Sequence, residues 1–156
     1  MSQKFFISLA TSLSLLLLAA AFGFQYLGGF EPCELCIWQR WPHAIALFVG
    51  ALAIAFPARW LAFAGAALLT AGAGIAFYHV GVEQGIFLGL ESCSSSPLEE
   101  MTGKDLLDFS ASENLPQDCS QVAWSMLGLS MAAWNGIFCL VAAALWSRGA
   151  VATRLV

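Results

Sequence analysis

The sequence predicts an all-α integral membrane protein, a four-helix bundle with a short amphipathic helix in its second external loop. Three observations carry this reading. Of 156 residues, 60% are hydrophobic and only 10% charged, whereas a soluble domain has about 25% charged residues. Several apolar runs approach the roughly 20 residues that a helix needs to cross a bilayer. The charges are also sorted between the connections rather than scattered. The length suits one domain, taken as residues 1–156.

The first span is expected over 5–27, behind Lys4. Lys4, the leucine run 15–18 and the small Ala19-Ala20-Ala21 share features with a secretory signal peptide. The apolar stretch exceeds the ~7–15 residues of a signal core and continues through Phe22, Phe24 and Tyr26, which favours a retained span. A short connection, 28–36, leads to a second span over 37–56. Pro42 fits the first turn of that helix, where its missing N–H costs nothing; a helix starting at Cys33 would make it interior, and both remain open. Pro57-Ala58-Arg59 turns the chain into a third span over 60–80, where Ala62, Ala66, Thr70 and Gly74 suggest a close-packing face.

Over 81–123 the composition shifts to serine, acid and glycine, in the only sizeable loop. Ser96-Pro97-Leu98-Glu99 reads as a capped helix start, with Ser96 as N-cap, Pro97 first and Glu99 third. Leu98, Met101, Leu106, Leu107 and Phe109 then predict a short amphipathic helix lying on the membrane surface, broken at Gly103. A fourth span is expected over 124–146, followed by a basic tail.

Lys4, Arg59, Arg148 and Arg154 would lie on one side with no acid among them. All ten acids, Glu31 to Asp118, fall on the other side with only Arg40 and Lys104. The basic side is expected to be cytoplasmic, placing both termini inside and both loops outside. In a bacterium the outer compartment is the periplasm, where disulfides persist.

Five cysteines mark the chemistry: Cys33, Cys36, Cys93, Cys119 and Cys139. Cys33 and Cys36 form a C-x-x-C pair near a helix N-terminus, where backbone dipoles favour a thiolate, and Arg40 follows about one turn later. An arginine at a membrane boundary is a functional candidate. Zinc ligation by Cys33, Cys36, Cys93 and Cys119 competes poorly, because structural sites usually draw on two closely spaced pairs. A pair of loop-stapling disulfides is weakened because closing so short a ring contributes little. Redox chemistry fits best, and a thiol pair at the apolar boundary can meet a lipid-soluble electron acceptor. Cys139, inside the fourth span, reads as an inert small hydrophobe.

The run Pro32-Cys33-Glu34-Leu35-Cys36-Ile37-Trp38-Gln39-Arg40-Trp41-Pro42, the separated pair Cys93 and Cys119, and Gly-Leu-Ser-Met-Ala-Ala-Trp-Asn at 128–135 resemble the disulfide bond formation protein B (DsbB) family. The resemblance covers essentially the whole chain. It implies a protein-disulfide:quinone oxidoreductase of the bacterial inner membrane that reoxidises a periplasmic, thioredoxin-like DsbA-type dithiol protein. A DsbA–DsbB–quinone relay is a known means of keeping a periplasm oxidising. By the resemblance, the partner attacks a Cys93–Cys119 disulfide at Cys93, and electrons pass to Cys33–Cys36. Cys36 then contacts ubiquinone or menaquinone, with Arg40 holding the quinone oxygen. Met131, Trp134 and His79 are expected to line that pocket, while His43 has no assigned role. Gln39 stands where some family members carry an acid, which puts a proton-transfer role there in doubt. Neither a metal nor a nucleic-acid partner is expected. The rival readings are a membrane thiol reductant of the vitamin K epoxide reductase-like type and a non-catalytic, disulfide-stapled assembly protein.

Overall fold

The computed structural model describes residues 2–90 and 118–152. Among them are four long helices, α1 (Gln3–Tyr26), α2 (Glu34–Ala55), α3 (Arg59–Glu83) and α4 (Met131–Ala152). A two-stranded hairpin, β1 (Ser125–Met126) and β2 (Leu129–Ser130), precedes α4. The chain is thus mostly helical. Three helices, α1, α3 and α4, are long and apolar enough to cross a membrane. In α2 the N-terminal half carries Gln39, Arg40, Pro42 and His43, which lowers its apolarity. The predicted surface helix around Ser96, together with Cys93 and Lys104, lies outside the described residues, as does Arg154.

The helices pack as a ring, α1 against α2, α2 against α3, α3 against α4 and α4 back against α1. Its core is built largely from small side chains, with Ala10, Ala46, Ala53, Ala62, Ala66 and Ala142 around Ile7, Leu69 and Trp146. Without a hydrophobic drive between helices in lipid, close backbone approach supplies the packing energy. Gly65 of α3 faces the Trp146 indole of α4 so closely that any Cβ would collide with it. The outward surface is apolar, with Leu16, Phe48 and Trp60 all about two-thirds exposed, as a lipid-facing surface requires.

Three expectations are adjusted. Helix α2 begins at Glu34, capped by the Cys33 sulfur, so Pro42 is interior and leaves the Trp38 carbonyl without its usual N–H partner. Gly72 of α3 lies against Pro42, where a Cβ would stand 3.0 Å from the proline Cβ. Helix α4 starts at Met131 rather than 124, because Leu127 (φ 55°) and Gly128 (φ 79°) form a tight turn that no helix can continue through. Ser130 then accepts from the Ala133 N–H at 3.2 Å, and Trp134 Nε1 donates to the Met126 carbonyl at 3.1 Å, tying the hairpin to the helix. The close-packing face of α3 also differs from the expected stripe. Ala62 and Ala66 are buried, but Thr70 and Gly74 are exposed, and the buried line continues through Leu69, Gly72, Ala73 and Ala76. Residues spaced strictly four apart drift by about 40° per step at 3.6 residues per turn, so that stripe rotates off the contact.

These contacts separate two glycine substitutions. Gly65→Ala must displace the Trp146 ring, so a loss of roughly 1–3 kcal/mol in unfolding stability is expected in detergent. Gly74→Ala, with nothing within 4 Å of the added Cβ, should be neutral or slightly stabilising. Equal melting behaviour of the two variants would contradict this packing.

Candidate functional site

The site is organised around the N-terminus of α2. Cys33 is its N-cap, and its sulfur accepts the Cys36 N–H at 3.2 Å. One helical turn brings the Cys36 sulfur to 2.8 Å from that of Cys33. Both are free thiols, Cys33 buried and Cys36 half-buried. The hydrogen bond between the sulfurs and burial together push the Cys33 thiol well above the ordinary value, so the last proton of the pair stays on Cys33.

Cys119, from the loop before the hairpin, is disulfide-bonded and fully buried. It packs with Cys33, Leu35 and Val82 in one apolar cluster. Helix α3 brings His79 into the same corner, with Nε2 3.6 Å from the Cys33 sulfur and 4.0 Å from Glu83 Oε1. His79 also meets the backbone of Cys119. Its other nitrogen, Nδ1, accepts from Gln39 Nε2 at 2.6 Å. The ligand atoms of Cys33, Cys36 and His79 lie within 4.8 Å of one another, a donor set whose composition would suit a soft divalent metal.

Beside this corner a cavity of about 300 Å³ opens among the four helices. Its walls are mainly apolar, including Leu17, Phe24, Trp124 and Phe138. Arg40, His79, Met131 and Trp134 all line it, together with Cys33 and Cys36. Arg40 does not project freely: Nη1 donates to Gln25 Oε1 at 2.6 Å, and the guanidinium lies 5.0 Å over the Phe22 ring. Among the predicted site residues only Cys93 lies outside the described residues.

Several lining groups were given no role by the sequence reading. His43 accepts from or donates to Ser14 Oγ at 3.2 Å and bonds Asn135 Oδ1 at 3.0 Å; Asn135 Nδ2 donates to Gln39 Oε1 at 2.8 Å. Cys139, expected to be inert, is buried with its sulfur 3.4 Å from His43 Nε2. A usable signal existed for these residues. Ser14, Gln25, His43 and Asn135 are polar groups within otherwise apolar segments, and such residues usually face the bundle interior. Glu83 is four residues beyond His79, hence on the same face of α3, but the expected span stopped at 80.

The raised Cys33 thiol sets a pH dependence. Its stabilising effect is complete below the ordinary thiol value of 9.0 and declines as pH rises above it, where the unfolded chain releases the proton that the fold retains. The reduced protein should therefore lose stability above that pH more steeply than Cys33→Ser. Unfolding midpoints across the alkaline range measure this, and parallel curves would contradict it.

Residues 3–148 match the family described as "Disulfide bond formation protein DsbB". The disulfide bond formation protein B of Methylococcus capsulatus is 40% identical over 124 residues, covering 76% of each chain. That of Xylella fastidiosa is 36% identical over 137 residues, covering 83% of this chain and 78% of the relative. That of Aromatoleum aromaticum is 34% identical over 135 residues, covering 79% and 76%. No solved structure matches the chain.

Proposed function

Because this chain belongs to the disulfide bond formation protein B family, and so to the disulfide-forming membrane oxidoreductases, we propose that it reoxidises a periplasmic thioredoxin-like dithiol protein and passes the electrons to membrane quinone. The observation that carries this is the contact between the two cysteine sites. Disulfide-bonded Cys119 packs against Cys33, whose partner Cys36 opens onto an apolar cavity with Arg40 on its wall. We read the protein as four-spanning, in the bacterial inner membrane, with both termini cytoplasmic, from the segregation of Lys4, Arg59, Arg148 and Arg154 from the acids.

The cavity residues fit a quinone ring. About 300 Å³ is at the lower end of small-molecule sites. Apolar and aromatic walls suit a flat ring, while Arg40, with Gln25 already accepting one of its N–H groups, keeps further donors for a carbonyl oxygen. When bound, ubiquinone or menaquinone supplies an acceptor for two electrons and two protons. Arg40 would hold its oxygen, Met131 and Trp134 would flank the ring, and Cys36 would be the sulfur nearest to it.

The sulfur chemistry follows from exchange rules, in which a thiolate attacks one sulfur of a disulfide and the other leaves. The partner's thiolate attacks Cys93 of the Cys93–Cys119 disulfide, releasing the Cys119 thiolate. Cys119, packed against Cys33, attacks Cys33 of an oxidised Cys33–Cys36 pair, and Cys36 leaves as a thiolate at the start of a helix with Arg40 one turn on. The partner's second thiolate then resolves its bond to Cys93. Freed Cys93 attacks Cys119, re-forming that disulfide and releasing Cys33. The outcome is an oxidised partner, a disulfide at Cys119 and two thiols at Cys33 and Cys36.

Purified protein with ubiquinone and a reduced thioredoxin-like substrate tests the relay. Quinone loss should vanish in Cys36→Ser and in Cys93→Ser; turnover by either variant sinks the proposal. Arg40→Met should raise the apparent KM for quinone about tenfold or more, the size of one charge-assisted hydrogen bond. The first exchange, of the thiol substrate with the Cys93–Cys119 disulfide, should be unaffected. An unchanged KM removes Arg40 from the quinone site.

A further inference from the structure

Behind the cysteines, the buried polar side chains form one connected series. His43 Nδ1 meets Ser14, His43 Nε2 meets Asn135, Asn135 meets Gln39, Gln39 meets His79, and His79 Nε2 faces the Cys33 sulfur. The direction of each link can be deduced. Gln39 Nε2 and Asn135 Nδ2 can only donate, while Gln39 Oε1 and Asn135 Oδ1 can only accept. His79 Nδ1 therefore accepts, and its neutral ring carries the proton on Nε2. His43 must donate from Nε2, which leaves Nδ1 to accept from Ser14. Every donor points the same way, from Ser14 in α1 towards Cys33.

We propose that His79 is the hydrogen-bond donor that stabilises the Cys33 thiolate in exchange between the two cysteine pairs, held in its Nε2–H form by the chain Ser14–His43–Asn135–Gln39. This rests on the relay reading above. When Cys93 attacks the Cys33–Cys119 disulfide, the Cys33–Cys119 bond breaks and the Cys93–Cys119 bond forms. The electron pair goes to the Cys33 sulfur, and the Nε2–H of His79 donates a hydrogen bond to that thiolate while the proton stays on the ring. A basic thiolate is a poor leaving group, and Cys33 is buried away from water that could protonate it. A hydrogen-bond donor 3.6 Å from that sulfur answers this need. Glu83 Oε1 lies 4.0 Å from the same nitrogen. The other titratable groups at this corner are Cys36 and Tyr78, which pack against the Cys33 cluster, and, across the cavity, Arg40, His43 and Glu31; α1 and α4 line the cavity with no charged side chain among the described residues.

The polarity also decides between a proton and a metal. Cys33, Cys36 and His79 have the composition of a soft-metal site, but a metal needs a lone pair on Nε2. The chain places a proton there. Reversal would require Gln39, Asn135 and His43 all to turn over together, so the two cases are distinct and measurable. His79 thus touches the reacting sulfur, while Gln39, Asn135 and His43 are positioning residues.

The test uses the full-length protein in detergent. In the reduced wild type labelled with ¹⁵N-histidine, the His79 resonances, identified by their loss in His79→Gln, should show a protonated Nε2 and a bare Nδ1. Gln39→Glu, which cannot donate to Nδ1, should transfer a proton to that nitrogen. In a Cys36→Ser background, thiolate absorbance against pH should place the Cys33 midpoint about one unit higher in His79→Gln, a tenfold loss of thiolate. Asn135→Leu should shift it in the same direction by less. A bare Nε2 in the wild type, tight Zn²⁺ binding that requires His79, or a Cys33 midpoint indifferent to His79 would each overturn the proposal. None of these readouts uses quinone or partner. Loss of turnover in Cys36→Ser with an unmoved Cys33 midpoint would reject this inference and leave the relay standing. Turnover by Cys36→Ser would reject the relay itself.

Discussion

The Cys33 sulfur is the point on which the rest of the structure depends. It closes the first turn of α2 by accepting the Cys36 N–H, and that turn brings the two sulfurs together. The same atom faces His79 from α3 and packs with Cys119 from the loop before the hairpin. A helix cap is usually a serine, threonine or aspartate. Sulfur in that role is a weaker acceptor, but it joins the start of the helix to the redox centre, so a change in the bonding of Cys33 is felt at the α2 N-terminus.

Placing that corner demands an unusual interior. Most of the bundle is held by alanine and glycine contacts, such as Gly65 under Trp146 and Gly72 against Pro42. Near the cysteines this gives way to a cavity and a file of polar side chains. Unsatisfied, each buried polar group would cost about 1–3 kcal/mol. Here Ser14, His43, Asn135, Gln39 and His79 satisfy one another in series. Such a network is stable only when its directions agree, which is why its polarity carries chemical meaning. Pro42 contributes to the same local irregularity, lying between Arg40 and His43 where the helix lacks one backbone hydrogen bond.

Much of the site was legible from residues one helical turn apart. Cys33, Cys36 and Arg40 are neighbours in any helix, so their association follows from spacing alone. Met131 and Trp134 were reached through family resemblance, and both line the cavity. Less was legible where the deciding contact is long-range. His79 was expected at the cavity, but its place beside the Cys33 sulfur depends on how α3 leans on α2. Asn135 is 96 residues from Gln39 and 92 from His43, so no local pattern could join them. The late start of α4 depends on Leu127, which adopts a left-handed backbone that a leucine rarely takes. Apolarity alone extends that helix back to 124.

The sequence by itself determined the class of protein, a mostly helical membrane protein, and the identity of the thiol pair. Hydropathy, charge segregation and short-range spacing are local quantities that survive without a fold. The tertiary structure alone decided that Cys119 lies against Cys33, that Arg40 is held by Gln25 and Phe22, and that the inner polar residues run in one direction. These depend on the rotation of each helix about its axis. That rotation is set by which small residues meet across the bundle, and a spacing of four along α3 misjudged it by the difference between 4 and 3.6 residues per turn.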